Sequence, residues 1–96
     1  MQFLVLTERK TDQFPAEEWT AERLAAEGQR VRELYAAGIV RTIWRRKDRP
    51  GAAIVIEAGS EAEARDAIES LPLAKLGMIG FPVVTELEPY PAFGPR

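Results

Sequence analysis

Residues 39–58 read IVRTIWRRKDRPGAAIVIEA. Two runs rich in β-branched and aromatic side chains, 39–46 and 52–58, flank the polar turn Lys47-Asp48-Arg49-Pro50-Gly51. Such side chains suit a pleated surface, and Pro-Gly punctuates the chain between them, so the stretch predicts a β-hairpin. Working toward the N-terminus, Gly38 is a natural helix stop. Before it, a helical segment is expected from Pro15 to about Ala37, with proline in the first turn and Glu17 and Glu18 at the positive end of the helix dipole. Residues 2–7, QFLVLT, read as a further strand. Toward the C-terminus, Ser60 and Glu63 form a capping box. The helix it opens has an apolar face of Ala64, Ala67, Ile68 and Leu71, and Pro72 is expected to end it. Residues 73–80 read as irregular and 81–87 as the fourth strand. Pro89, Pro91 and Pro95 make the remainder an extended tail.

The order is β-α-β-β-α-β. The crossover rule and the hairpin make a ferredoxin-like α+β fold the simplest closure: a four-stranded antiparallel sheet with two helices on one face. The 96 residues suffice for one domain, placed at 1–88, with 89–96 as the tail. A sheet with one wet face should alternate apolar and polar residues. Here Phe3 and Val5 oppose Leu4 and Leu6, and Ala53 and Val55 oppose Ile54 and Ile56, so both faces are apolar. The helices cover only one. A second copy of the chain is expected to bury the other face, giving at least a dimer.

Composition removes whole classes of chemistry. The sequence has no cysteine and no histidine, which excludes disulfides, thiolate metal sites, and Ser-His or Cys-His catalysis. Proton transfer would have to run on Asp, Glu, Lys, Tyr or water. The net charge of −2 speaks against nucleic acid as a partner. No apolar run approaches the roughly 20 residues of a membrane span, and the first residues lack the pattern of a signal peptide. A cytoplasmic protein is the expectation. The sequence shows no nucleotide fingerprint, phosphate loop or metal-ligand cluster, so no cofactor is expected.

The residues with chemical potential sit on the first helix and the second strand. At about 100° per residue, Leu24, Val31, Leu34 and Tyr35 form an apolar stripe, and Glu27 falls inside it. A carboxylate there is costly to desolvate, which raises its pKa unless a cation is near. That is one way to obtain a general base without histidine. The alternative is a structural pair with Arg23 or Arg30. Gly28, costing about 1 kcal/mol in a helix relative to alanine, suggests close approach of a neighbour or ligand. On the second strand, simple alternation puts Arg41 and Arg45 on one face with Ile39 and Ile43, and Thr42, Trp44 and Arg46 on the other with Val40. These arginines either meet an anion or form a solvated strand end. Trp44 either walls a pocket or is core. Tyr35 is a possible proton donor or a core aromatic. Lys75 is a loop candidate, and Tyr90 and Phe93 are candidate anchors on a neighbouring subunit.

Glu27, Leu34, Gly38, Arg41 and Trp44-Arg45, followed by the hairpin and then Leu71-Pro72-Leu73, stand in an order and spacing that resembles the muconolactone isomerase family. The resemblance covers nearly the whole chain. It implies a ferredoxin-like subunit that dimerises through its sheets as a dimeric α+β barrel and assembles further, commonly into a decamer. It also implies cofactor-independent isomerisation of an unsaturated lactone. By this resemblance Glu27 would shuttle the proton, Arg41 and Arg45 would hold a substrate carboxylate, and Trp44 would wall the pocket. The histidines of the family's catabolic enzymes have no counterpart here, and Ala74-Lys75-Leu76-Gly77-Met78 replaces an aromatic-rich segment. Two other readings stand beside this one: a cyclase or monooxygenase of secondary metabolism on the same scaffold, and a non-catalytic small-molecule-binding oligomer.

Overall fold

A computed structural model describes residues 1–93. Its strands are β1 (Gln2–Arg9), β2 (Val40–Arg45), β3 (Ala52–Glu57) and β4 (Ile79–Leu87), and its helices α1 (Ala21–Ala36), α2 (Glu61–Glu69) and α3 (Pro72–Lys75). The strands form one antiparallel sheet in the order β2-β3-β1-β4. This is the expected ferredoxin-like α+β arrangement.

Phe3, Val5 and Thr7 of β1 and Ile54 and Ile56 of β3 point into one layer, where they meet Leu34 of α1 and Ala64 and Ile68 of α2. Full burial of such apolar side chains stabilises the fold by about 1.5–3 kcal/mol each. Leu4, Leu6, Ala53 and Val55 point to the opposite face and are only half-buried. Val83, on β4 opposite Leu6, joins them. The apolar second face read from the alternation is therefore present and has no cover from the chain's own helices.

Several boundaries differ from the expectation, each for a local reason. Residues 16–18 make a separate 3-10 turn, and α1 starts only after Thr20, whose hydroxyl accepts a hydrogen bond from the Arg23 amide at 3.2 Å. This N-cap satisfies an amide that the helix itself leaves free. Gly38 ends α1 at φ 78°, a conformation glycine adopts without steric cost. Ser60 caps α2 as expected, accepting from the Glu63 amide, while the Glu63 carboxylate accepts from Gly59 rather than from Ser60. The helix ends at Ser70, and Pro72 does not end it but occupies the first turn of α3. Residues 72–75 are therefore helical, and β4 begins at Ile79.

The largest difference lies in β2. Val40 pairs with Ile56, but Thr42 pairs with Val55 and Ile43 with Ile54, so a bulge falls at Arg41. One extra residue reverses the facing of those before it. Val40, Ile43 and Arg45 consequently share the helix-covered face, and Thr42 and Trp44 the outer face. Simple alternation through 39–46 fails at this point.

Among the described residues nothing comes unusually close to Gly28. A Cβ there would lie 3.5 Å from an Arg32 nitrogen, ordinary contact distance. Beyond β4, Tyr90 and Phe93 are exposed. The last part of the expected tail, residues 94–96 with Pro95, lies outside the described residues. Among the described residues no helix is long and apolar enough to cross a membrane.

Candidate active site

The layer between helices and sheet is filled at one end and open at the other. At the open end Thr7, Arg9, Glu27, Ile43, Arg45 and Leu73 line a cleft of about 160 Å³. The elements dictate this set. Phe3, Val5, Thr7 and Arg9 are alternate residues of β1, and the same period carries the β2 face from Ile43 to Arg45. On α1, Glu27 and Val31 are one turn apart and look down on these strand positions. The Leu71-Pro72-Leu73 segment closes the side, with Leu71 and Leu73 buried.

Glu27 is half-buried and anchored at one oxygen only. Its Oε1 accepts the Leu73 amide hydrogen at 2.9 Å. Proline at the preceding position fixes the start of α3, so this amide points away from the helix and needs an external acceptor. Among the described residues Glu27 makes no ion pair and Oε2 has no hydrogen-bond partner. No side-chain nitrogen or oxygen among them is both fully buried and unpartnered, so Oε2 keeps some exposure.

Burial pushes the Glu27 carboxyl above its ordinary value, and the Leu73 hydrogen bond and the positive field of Arg9 offset part of that rise. Desolvation of the carboxylate is the largest of the three effects, so the net shift is upward. The structural pairing with Arg23 or Arg30 is not made. Arg30 bonds Ser70 at 3.0 Å and Glu33 at 3.1 Å, and Arg23 turns to the Glu18 carbonyl at 2.9 Å.

The open end is held in shape by Thr7 and Gly51. The Thr7 hydroxyl accepts the Ala52 amide hydrogen at 2.9 Å, and its carbonyl accepts from Arg46 at 3.3 Å. The hairpin turn comes so close that a Cβ on Gly51 would lie 2.0 Å from the Thr7 carbonyl oxygen. Arg46 and Arg49 are tied into the turn: Arg46 to Asp48 at 2.7 Å and Arg49 to Glu8 at 2.6 Å.

Of the residues singled out from the sequence, Glu27 and Arg45 come together in the cleft. Arg41 does not. It sits at the bulge on the edge strand, exposed, on the side of Glu57. The N-terminal ammonium, 2.7 Å away, holds the Glu57 carboxyl below its ordinary value, and Arg41 adds to that pull. Trp44 is 67% exposed on the outer face, across the sheet from Glu27. Tyr35 is likewise 67% exposed, near the end of α1 and outside the cleft lining. Lys75 is exposed at the end of α3. Two polar side chains of the cleft went unmarked in the sequence, Thr7 and Arg9. The signal for both was the alternation of β1 continued past Leu6, which places them on the face of Phe3 and Val5.

Comparisons with known proteins come to the same scaffold. The family model described as muconolactone delta-isomerase matches residues 1–92. A solved structure of muconolactone isomerase is similar with a TM-score of 0.75 and 23% identity, covering 97% of this chain and 94% of that one. The 5-chloro-2-hydroxyhydroquinone dehydrochlorinase of Burkholderia phenoliruptrix AC1100, solved in complex with 2,5-dihydroxybenzoquinone, is similar with a TM-score of 0.69 and 20% identity. That likeness covers 92% of this chain and 94% of the dehydrochlorinase. No curated protein sequence matches significantly.

Proposed function

The chain belongs to the muconolactone delta-isomerase family, and from that premise we propose that it is a small-molecule isomerase moving a proton within an unsaturated lactone or a related carbonyl acid. The observation that carries the proposal is Glu27: a half-buried carboxylate lining the cleft, with a raised pKa, one oxygen fixed by the Leu73 amide and the other unpartnered among the described residues. In this reading ionised Glu27 takes a proton from a carbon beside the conjugated carbonyl system. The electron pair left behind spreads onto the carbonyl oxygen as a dienolate. The same carboxyl then returns the proton to the other end of the conjugated system, so that a double bond shifts and nothing is gained or lost.

The site suits that sequence of steps. A carboxylate poorly solvated in its charged form is a stronger base than one in water. The cleft is walled by Ile43, Ile54, Leu71 and Leu73, which limits the water that competes for a carbanionic intermediate. The positive field of Arg9 favours negative charge developing in the cleft.

The same proposal includes a second copy of the chain. Leu4, Leu6, Ala53, Val55, Val83 and exposed Trp44 make a contiguous apolar outer face, which a monomer would present to water. Face-to-face packing of two sheets buries it. In that assembly Trp44 belongs to the interface rather than to the Glu27 cleft of its own subunit. Light scattering at micromolar concentration should give at least a dimer mass, and a monomer mass would overturn this part.

The direct test of substrate is turnover of muconolactone by the purified protein, followed by ultraviolet absorbance. Conversion supports a lactone isomerase. No conversion at millimolar substrate overturns muconolactone as the substrate and shifts the assay to other unsaturated carbonyl acids.

A further inference from the structure

At the mouth of the cleft the cations fall into two groups. A basin of about 660 Å³ beside the hairpin turn is lined by Arg9, Arg45, Arg46, Lys47 and Arg49 together with Asp48. Arg46 and Arg49 are committed to Asp48 and Glu8. Arg9 and Arg45 form no ion pair among the described residues, and they are the two cations that line both the basin and the Glu27 cleft. Two guanidinium groups without an ion pair, beside a turn whose own carboxylates, Glu8 and Asp48, are already used, form a site with capacity for an anion.

Arg9 is also held in place. Its guanidinium lies over the Trp19 ring, 5.1 Å from the ring centroid. Trp19 in turn donates its indole hydrogen to the Phe14 carbonyl at 3.0 Å and packs edge-on against the Phe14 ring, the centroids 6.4 Å apart at 76°. A guanidinium stacked on an aromatic face keeps the hydrogen-bond donors at its edge available. The indole supports the guanidinium of Arg9 without taking any of its N–H groups.

We propose that Arg9 joins Arg45 in holding the substrate carboxylate at the cleft mouth and that Trp19 positions Arg9 for it, with the substrate's unsaturated carbon chain reaching toward Glu27. The inference rests on the Glu27 cleft being the substrate site. It identifies Arg9 and Trp19, neither of them marked in the sequence, as determinants of specificity for that carboxylate. A carboxylate bridging two guanidinium groups forms charge-assisted hydrogen bonds whose loss weakens binding about tenfold or more. The site is partly open to solvent, so binding weakens further with added salt.

The probe is sorbate, a plain unsaturated six-carbon carboxylate, compared with its methyl ester. Titration calorimetry of the full chain at low salt is the measurement. Sorbate should bind at least tenfold more tightly than methyl sorbate, and Arg9→Leu or Arg45→Leu should each remove most of that preference. Trp19→Leu should reduce it several-fold, and Trp19→Phe, which keeps an aromatic face under Arg9, should restore much of it. Equal binding of acid and ester by the parent protein would overturn the proposal, as would an unchanged preference in Arg9→Leu. Solvent deuterium uptake by muconolactone reads the Glu27 chemistry separately. Uptake without carboxylate preference defeats the anion pair alone, and preference without uptake supports the anion pair and defeats the proton-transfer reading.

Discussion

Two ends of the same helix-covered sheet face, built from the same strands, come out differently. Across the first end run Val40, Ile56 and Phe3, paired strand to strand and buried. The next row is Ile43, Ile54 and Val5, still apolar though Ile43 is 40% exposed. Beyond it Arg45 pairs with Ala52, Ala52 bonds Thr7, and Arg9 follows two residues later. The face thus passes from full hydrocarbon to hydroxyl and guanidinium within three rows. The helices follow suit: Leu34, Ala64 and Ile68 pack over the first end, and Glu27 overhangs the other. The closed end supplies stability through burial. The open end gives some of that up, because each polar group in it needs a partner or contact with water. A place where sequence consistency lapses in this directed way is the expected mark of a functional site.

Three substitutions sharpen the contrast, from the largest effect to the smallest. Ile56→Ala at the closed end deletes fully buried methyl groups and should cost about 2–5 kcal/mol in chemical denaturation, with no change in proton exchange at the cleft of the folded fraction. A loss below 1 kcal/mol would mean that the closed end does not carry the fold. Thr7→Val at the open end keeps the volume but leaves the Ala52 amide without its acceptor. It should cost about 1–3 kcal/mol and also loosen the cleft, so that stability and ligand binding fall together. Glu27→Gln retains an acceptor for the Leu73 amide and should change stability by under about 1 kcal/mol.

The sign of that last change depends on pH. The folded-state pKa of Glu27 lies above its unfolded value, so the folded chain holds the proton more tightly. Its contribution to stability is complete below the unfolded pKa and is lost as pH rises through the folded one. Glu27→Gln should therefore gain stability relative to the parent as pH rises from the ordinary glutamate range toward neutrality. Denaturation midpoints measured from pH 4 to pH 7 would show the difference, and a relative loss across that window would contradict the raised pKa.

Much of the fold was legible in the sequence because its signals are local. The Pro-Gly turn, the Ser60 cap, Gly38 and the two-sided apolar strands each act within a few residues of where they are read. Glu27 was legible for the same reason, as a charge out of step with the stripe of its own helix. The rest depended on pairing between distant segments. No periodicity marks the bulge at Arg41, which is set by how β2 meets β3 and takes Arg41 off the face of Arg45; Trp44 lies on the face opposite Arg45 with or without it. Tyr35 stands at the margin of the α1 stripe, where spacing alone does not settle exposure. Arg9 is unremarkable in the sequence and acquires its place only when residues 14–19 fold back to put Trp19 beneath it. The short helix α3 was masked by reading Pro72 as a stop rather than a start.

The central claim is that Glu27 is a base and not merely a strut for Leu73. The most direct measurement is solvent deuterium incorporation into muconolactone by the parent protein and by Glu27→Gln, with thermal unfolding recorded on both. The account predicts incorporation by the parent, a reduction of about 10²–10⁴-fold in Glu27→Gln, and closely similar unfolding curves. Undiminished exchange in a folded Glu27→Gln protein would show that the carboxylate only holds α3, and would contradict the account.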